Sequence, residues 1–252
     1  ETEISNMNNT IQKSGSISSL FKSSIFLKVL ALGIGLQMLQ QLSGINAVIY
    51  YSSSIFSAAG VPNPTTATVI VGLVNMLTTI LAVMFIDKLG RKPIMYFGFT
   101  VMILALCTAG YIFHTEAGLQ VVGQHLSVGM KNTLLGSTLV YIFAFAISAG
   151  PIMWVICAEI FPLKGRDLGM TITTAVNWIF AALVVQFSLP LLAFSDGAPN
   201  PAGGATLFFF FAFCCFIGIL VIKFLTPETK GVSLEKMEEN LRSGVKLKNI
   251  GA

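Results

Sequence analysis

Six long apolar runs limit what this chain can fold into. They are Leu27 to Ala59, Thr66 to Ile86, Ile94 to Phe113, Thr133 to Phe161, Leu168 to Phe194 and Thr206 to Leu225. A bilayer core is about 30 Å thick and takes about 20 apolar residues per helix. Backbone groups left unpaired in lipid are costly, so each run is predicted to be a membrane-spanning helix. Composition agrees, with 54% hydrophobic and only 10% charged residues. A soluble domain carries about a quarter charged residues. Too little polar surface remains to wrap a water-soluble core. The opening segment, Glu1 to Ser24, is polar and Ser/Asn-rich and does not read as a signal peptide.

Six spans place both termini on one side, and charge says which. Lys13, Lys22 and Lys28 precede the first span, Lys88, Arg91 and Lys92 follow the second, and Lys164 and Arg166 follow the fourth. Lys223, Lys230, Lys236, Arg242, Lys246 and Lys248 mark the end of the sixth span and its tail. The opposite loops carry only Lys131. The positive-inside rule puts both termini in the cytoplasm of a cell membrane, plasma or bacterial inner. It also explains the formal net charge of +4 without a nucleic-acid partner. The expected layout is a cytoplasmic linker over 1–26, a six-helix domain over 27–225 and a cytoplasmic tail over 226–252. In the tail, Ser233 to Arg242 reads as a short solvated helix capped by Ser233.

No cofactor or metal is called for. Cys107, Cys157, Cys214 and Cys215 all lie in apolar runs and read as small buried hydrophobes. No His or acidic ligand set accompanies them. His114 and His125 fall in the longest outer loop, His114 to Asn132, as ordinary loop residues. The Phe-rich stretch Leu207 to Phe213 reads as lipid-facing or packing surface. No catalytic triad or phosphate loop is present, so a membrane enzyme is disfavoured.

Polar residues inside a membrane are expensive and point to function. In the first span Gln37, Gln40, Gln41 and Gly44 recur at helical spacing on one face. Amides both donate and accept, which suits a polyol. They also bond neighbouring helices, so interhelical glue is an equal reading. Asn46 falls off this face at about 100° per residue. A turn unwound at Gly44 would re-aim it inward, because glycine tolerates such backbone. The fourth span is interrupted too, at Ser148-Ala149-Gly150-Pro151, where proline removes a donor and kinks the helix. Trp154 follows one turn later. It sits either at an interface or in a cavity, where its face stacks on a sugar ring. The second span adds Asn75, and the fifth adds Asn177 and Trp178. Spans one and four hold corresponding places in two three-helix sets. Paired interruptions of this kind point to inverted repeats with a binding site between them. No carboxylate lies near a span centre.

Two short connections carry charge. Asp87 to Pro93 joins spans two and three, and Glu159 to Arg166 joins spans four and five. The expected pairs are Arg91 with Glu159 and Arg166 with Asp87. Either they lock helix ends in one conformation, or they only set topology, since surface ion pairs contribute about 0–1 kcal/mol.

Four segments together resemble the sugar porter family of the major facilitator superfamily. Gln40-Gln41-Leu42-Ser43-Gly44-Ile45-Asn46 through Tyr50-Tyr51-Ser52 resembles its seventh-helix signature. Asp87 to Lys92 resembles its Gly-Arg-Arg/Lys loop. Gly150-Pro151-Ile152-Met153-Trp154 through Arg166 resembles its tenth-helix motif, and Pro227-Glu228-Thr229-Lys230-Gly231 the motif after its twelfth helix. The resemblance implies an all-α membrane fold: six helices in two inverted repeats, the C-terminal half of a major facilitator fold. It implies transport of a monosaccharide, hexose or pentose, by alternating access between two halves. A partner N-terminal six-helix half of the same transporter is then expected, besides the sugar and membrane lipid. The implied sugar contacts are Gln40, Gln41, Asn46, Asn75, Trp154 and Asn177, with Trp178 beside them. Tyr50 matches an outer-gate aromatic. Gly44 and Pro151 mark the hinge breaks. Asp87, Arg91, Glu159 and Arg166 match a cytoplasmic salt-bridge network. Some members carry an acid four residues before the Gly-Pro; this chain has Ala146. The alternative class is a sugar-binding sensor that does not transport.

Overall fold

A computed structural model of the chain describes residues 17–58, 63–121, 126–192 and 201–251. Every regular element among them is helical. A short α1 (Ile17–Phe21) leads into α2 (Ser24–Leu42), α3 (Ile45–Tyr50) and α4 (Ser52–Ala58). Then come α5 (Pro64–Leu89), α6 (Arg91–Val121), α7 (Val128–Ile147), α8 (Ala149–Ile160), α9 (Arg166–Leu192), α10 (Pro201–Phe224) and α11 (Leu234–Arg242).

Among the described residues, six stretches are long and apolar enough to cross a membrane. The first is α2 with α3, and the fourth is α7 with α8. The other four are α5, α6, α9 and α10. Both expected interruptions are present. Most of the expected linker, with Lys13, lies outside the described residues, as do His125, Ala59 and Phe194.

The first break is at Ser43-Gly44. Gly44 has φ +92°, the left-handed region that side chains disfavour. A Cβ there would lie 2.2 Å from Cδ2 of Phe211, so the position demands glycine twice over. The second break is at Ser148, whose φ of −124° and ψ of −91° leave the helical region. Pro151 sits in the first turn of α8, where a missing N–H costs nothing. Gly98 of α6 makes room for this break, since a Cβ there would lie 1.8 Å from Ser148 Oγ.

The third span packs along the sixth, with Phe113 stacked on Phe208 at 5.4 Å between ring centroids. The fifth span packs along the first, and the second along the fourth. Burial is uneven. In spans two and five 22% of the central residues are buried, against 50–56% in the other four. These two spans therefore present broad uncovered apolar faces. The Phe-rich stretch divides as expected: Phe208 and Phe211 are buried, whereas Phe209, Phe210 and Phe213 are exposed.

Two expectations change. The third span does not stop at Phe113, because α6 continues to Val121. Residues 114–121 contain no proline to end it, so His114 is helical rather than in a loop. The tail helix α11 is not merely solvated. Ser233 caps it as expected, accepting the Lys236 N–H at 3.3 Å. Yet Met237 and Leu241 are buried, and Glu238 accepts the Leu163 N–H at 3.1 Å. This apolar pair fastens the tail to the connection after the fourth span.

Candidate functional site

At the level of the two breaks, five amide side chains form one network. Asn177 Nδ2 donates to Gln37 Oε1 at 2.6 Å and to Gln40 Oε1 at 2.7 Å. Gln41 Nε2 donates to Asn177 Oδ1 at 2.9 Å. Asn46 Nδ2 donates to Gln41 Oε1 at 2.7 Å. Gln37, Gln40, Gln41 and Asn177 are buried, while Asn46 is half-buried. The bent backbone at Gly44 is what brings Asn46 to Gln41, as the spacing argument predicts. A straight helix would aim it elsewhere.

The two breaks supply each other's hydrogen-bond partners. Gln40 Nε2, from the first span, donates to the carbonyls of Ala149 at 2.8 Å and Gly150 at 2.9 Å, just past the break in the fourth. Tyr141, from the fourth, donates its hydroxyl to the carbonyl of Ser43 at 2.9 Å, beside the break in the first. Ser148 Oγ turns back to the Ala144 carbonyl at 2.5 Å. Interrupted helices in a membrane survive only when freed backbone groups find such partners.

The remaining predicted residues stand apart from the network. Asn75 and Trp154 are half-buried and Trp178 is exposed. None of the three is hydrogen-bonded to the amide cluster. Successive helix residues point about 100° apart, so a buried Asn177 turns Trp178 outward. Among the described residues, Asn46 Oδ1 and the Trp154 indole N–H have no protein partner, leaving one acceptor and one donor open. Tyr50, at the end of α3, is exposed. Its neighbour Tyr51 is the one that crosses to the fifth span, donating to the Val185 carbonyl at 3.3 Å.

The charged ends of the helices form a second cluster. Arg91 Nη2 reaches Glu159 Oε1 at 2.6 Å and Asp87 Oδ1 at 3.1 Å. The expected pair of Arg166 with Asp87 does not form. Arg166 begins α9 and instead donates to the Phe161 carbonyl at 3.2 Å, left free where α8 ends. Asp87 is one helical turn from Arg91 and is satisfied there. Glu159 also accepts from Thr229 Oγ1 at 2.5 Å. Glu228 caps α6, accepting the Arg91 N–H at 3.0 Å and the Lys92 N–H at 2.9 Å. Burial alone would raise the Glu228 carboxyl, but N–H donors from Arg91, Lys92, Lys230 and Thr229 outweigh it and hold its pKa below the ordinary value. The stabilisation this adds is complete above the usual carboxylate range. It drains away only as pH falls through the lowered folded value.

Lys92 Nζ donates to the Thr226 carbonyl at 2.9 Å and Lys230 Nζ to the Lys88 carbonyl at 2.6 Å. The segment after the sixth span thus staples the turn between spans two and three. Sequence reasoning assigned no role to Glu228, Thr229, Tyr141 or Tyr51. The resemblance marked the segment holding Glu228 and Thr229 without giving it a function. For the tyrosines the only signal is a polar tip inside an apolar run. All four cysteines are free, and Cys157, Cys214 and Cys215 are buried. No cluster of metal-ligating side chains occurs among the described residues.

Comparison with known proteins agrees with this architecture. The family described as "Sugar (and other) transporter" matches residues 1–241. The galactose-proton symporter of Escherichia coli (strain K12) is 40% identical over 254 aligned positions, a match that covers 99% of this chain and 52% of that protein. The arabinose-proton symporter of the same strain is 38% identical over 225 residues, 87% of this chain and 45% of that protein. A solved major facilitator superfamily proton:xylose symporter, bound to 6-bromo-6-deoxy-D-glucose, superposes with a TM-score of 0.69. It is 31% identical, and the match covers 83% of this chain and 42% of that one. The chain spans about half the length of the curated relatives it matches. Taken with the six spans and their two breaks, these matches make the chain a member of the sugar porter family of the major facilitator superfamily.

Proposed function

We propose that this chain supplies the C-terminal six-helix domain of a transporter that carries a monosaccharide, hexose or pentose, by alternating access. The observation that carries the reading is the amide network at the level of two helix breaks. Buried amides in this number are costly unless they serve a polar cargo or bind helices together. The relatives named for galactose and arabinose tip the balance toward cargo. In this reading Gln40, Gln41, Asn46 and Asn177 bind the sugar. Asn46 Oδ1 and the Trp154 indole offer the first open contacts, and Asn75 and Trp178 line the approach. Gly44, Pro151 and Tyr50 belong to the moving gate. Asp87, Arg91, Glu159 and Arg166 lock the helix ends on the cytoplasmic side, where the basic residues place both termini.

The uncovered faces of spans two and five support a further element of the proposal, an N-terminal six-helix half packed beside them. The same split follows from relatives about twice as long. The linker over 1–26, the domain over 27–225 and the tail over 226–252 follow from the same reading.

The test is uptake of labelled galactose and xylose into proteoliposomes holding this chain assembled with an N-terminal half. Saturable uptake is the expected result. Sugar binding with no uptake would favour the sensor reading, and neither binding nor uptake would overturn both. Gln41→Ala separates cargo from glue. Sugar affinity is expected to fall about tenfold, equivalent to about 1.4 kcal/mol, because one hydrogen-bonding amide is lost. Thermal stability should fall by only about 1 kcal/mol, the scale of one interhelical hydrogen bond in a membrane. A lower melting temperature with unchanged affinity would assign Gln41 to helix packing alone.

A further inference from the structure

At the end of the sixth span the chain folds back on itself and encloses a cleft of about 390 Å³. Its walls are Phe224 and Leu225 on one side and Lys246, Leu247, Lys248 and Asn249 on the other. The two halves differ in chemistry. Phe224 and Leu225 end a membrane span and are more than half exposed. Lys246 and Lys248 are exposed cations. Lys223, just outside this lining, holds its Nζ 5.5 Å from the centroid of the Phe224 ring that forms the floor. Lys248 also stands close enough to Lys92 for the two ammonium groups to repel.

These lysines are held rather than trailing. Residues Leu247–Asn249 form a 3-10 turn, with the Asn249 N–H bonded to the Lys246 carbonyl at 2.7 Å. Ile250 beyond it is wholly buried, and its carbonyl accepts from Asn240 Nδ2 at 2.8 Å. Gly251 passes so near the Glu228 carbonyl that a Cβ would lie 1.7 Å from that oxygen. The nearby carboxylate, Glu228, is already committed to the N–H groups that open α6. Among the described residues, Lys223, Lys246 and Lys248 make no ion pair. Elsewhere at this end Arg91, Lys236 and Arg242 all do.

An apolar floor at the mouth of a span, rimmed by unpaired cations on an anchored turn, matches one occupant. We propose that this cleft binds the headgroup of an anionic phospholipid, with its glycerol and upper acyl chain on Phe224 and Leu225. The lysines supply charge; the exposed Phe224 ring, Leu225 and Leu247 supply the apolar surface that a free anion would not use. Basic segments next to a span are drawn to anionic lipid, and the cytoplasmic leaflet carries that charge. The inference rests on the proposed cytoplasmic placement of this end. It is independent of which sugar is carried.

Native mass spectrometry of the detergent-purified chain with added phosphatidylglycerol or phosphatidylcholine tests it. The wild type is expected to retain phosphatidylglycerol about tenfold better than phosphatidylcholine, and Lys246→Gln with Lys248→Gln to abolish that preference. Lys22→Gln with Lys28→Gln removes the same charge from the other end of the chain and should leave the preference intact. Equal retention of both lipids by the wild type would overturn the proposal. So would an equal loss in both double variants, which would mean diffuse charge attraction. Displacement of the lipid by millimolar inorganic phosphate would assign the cleft to a free anion instead. Unchanged thermal unfolding of the Lys246/Lys248 variant is the check that a lost preference reports binding, and Lys223→Gln should repeat the loss in part.

Discussion

Replacing Gly44 with valine is expected to lower stability by about 2–5 kcal/mol. Two costs combine. Gly44 holds φ +92°, and a left-handed residue with a Cβ costs about 1–2 kcal/mol. The new Cβ would also sit 2.2 Å from Cδ2 of Phe211, and overpacking of that kind costs about 1–3 kcal/mol. Thermal unfolding in detergent measures the sum. Gly44→Ala already brings the Cβ and should fall slightly short of valine. Combining Gly44→Ala with Phe211→Ala separates the two causes, because the clash then disappears and only the backbone cost remains. The double variant should be less damaged than the sum of its parts, as coupled neighbours are. Additive losses would show that Phe211 does not press on the break. Wild-type stability for Gly44→Val would show that the break does not depend on glycine at all.

Reversing the charge at Arg91 is the second large effect. The sequence leaves two readings of the charged ends, a lock or weak surface pairs worth about 0–1 kcal/mol. Burial bears on the choice. The Arg91 side chain is 8% exposed and Glu159 is 21% exposed. Removing one partner of a buried pair costs about 3–5 kcal/mol, because the other charge is stranded. Asp87 is 80% exposed and belongs to the weak class. Arg91→Glu is therefore expected to destabilise by about 3–5 kcal/mol, with Glu159 as the main loser. Adding Glu159→Arg should recover part of it. In an assembled transporter the rate should change more than sugar affinity, since Arg91 lies at the charged end and not among the amides. A loss below about 1 kcal/mol, with wild-type rates, would return these charges to topology alone.

Much of the fold was readable because a bilayer imposes one rule on every span. Apolar length predicts the helices, and Gly44 and Pro151 mark the breaks through local backbone chemistry. The inward turn of Asn46 followed from helix geometry and one glycine. Arg91 with Glu159 was also predictable, as two opposite charges at one membrane face.

What escaped depends on how distant spans cross. Charge and side match Arg166 to Asp87, but Arg166 bonds the free carbonyl of Phe161 instead. Tyr141 looked like any aromatic in an apolar run, and only the folded chain shows Ser43 beneath its hydroxyl. Tyr50 and Tyr51 differ by one position, and the bend after Gly44 decides which faces the fifth span. Trp178 lies beside Asn177 in sequence yet faces away from it, because neighbours on a helix do not share a side. The tail reads as solvated because its charges dominate, while two buried residues, Met237 and Leu241, and the Glu238 bond to Leu163 dock it.

The crossed bonds between the breaks have a mechanical consequence. Gln40 holds the carbonyls of Ala149 and Gly150, and Tyr141 holds the carbonyl of Ser43. Bending either joint alone would strand a polar group on the other in a place with little water to replace it. The two joints are therefore expected to bend together, like the blades of one pair of scissors, because neither can open without loosening a bond that closes the other.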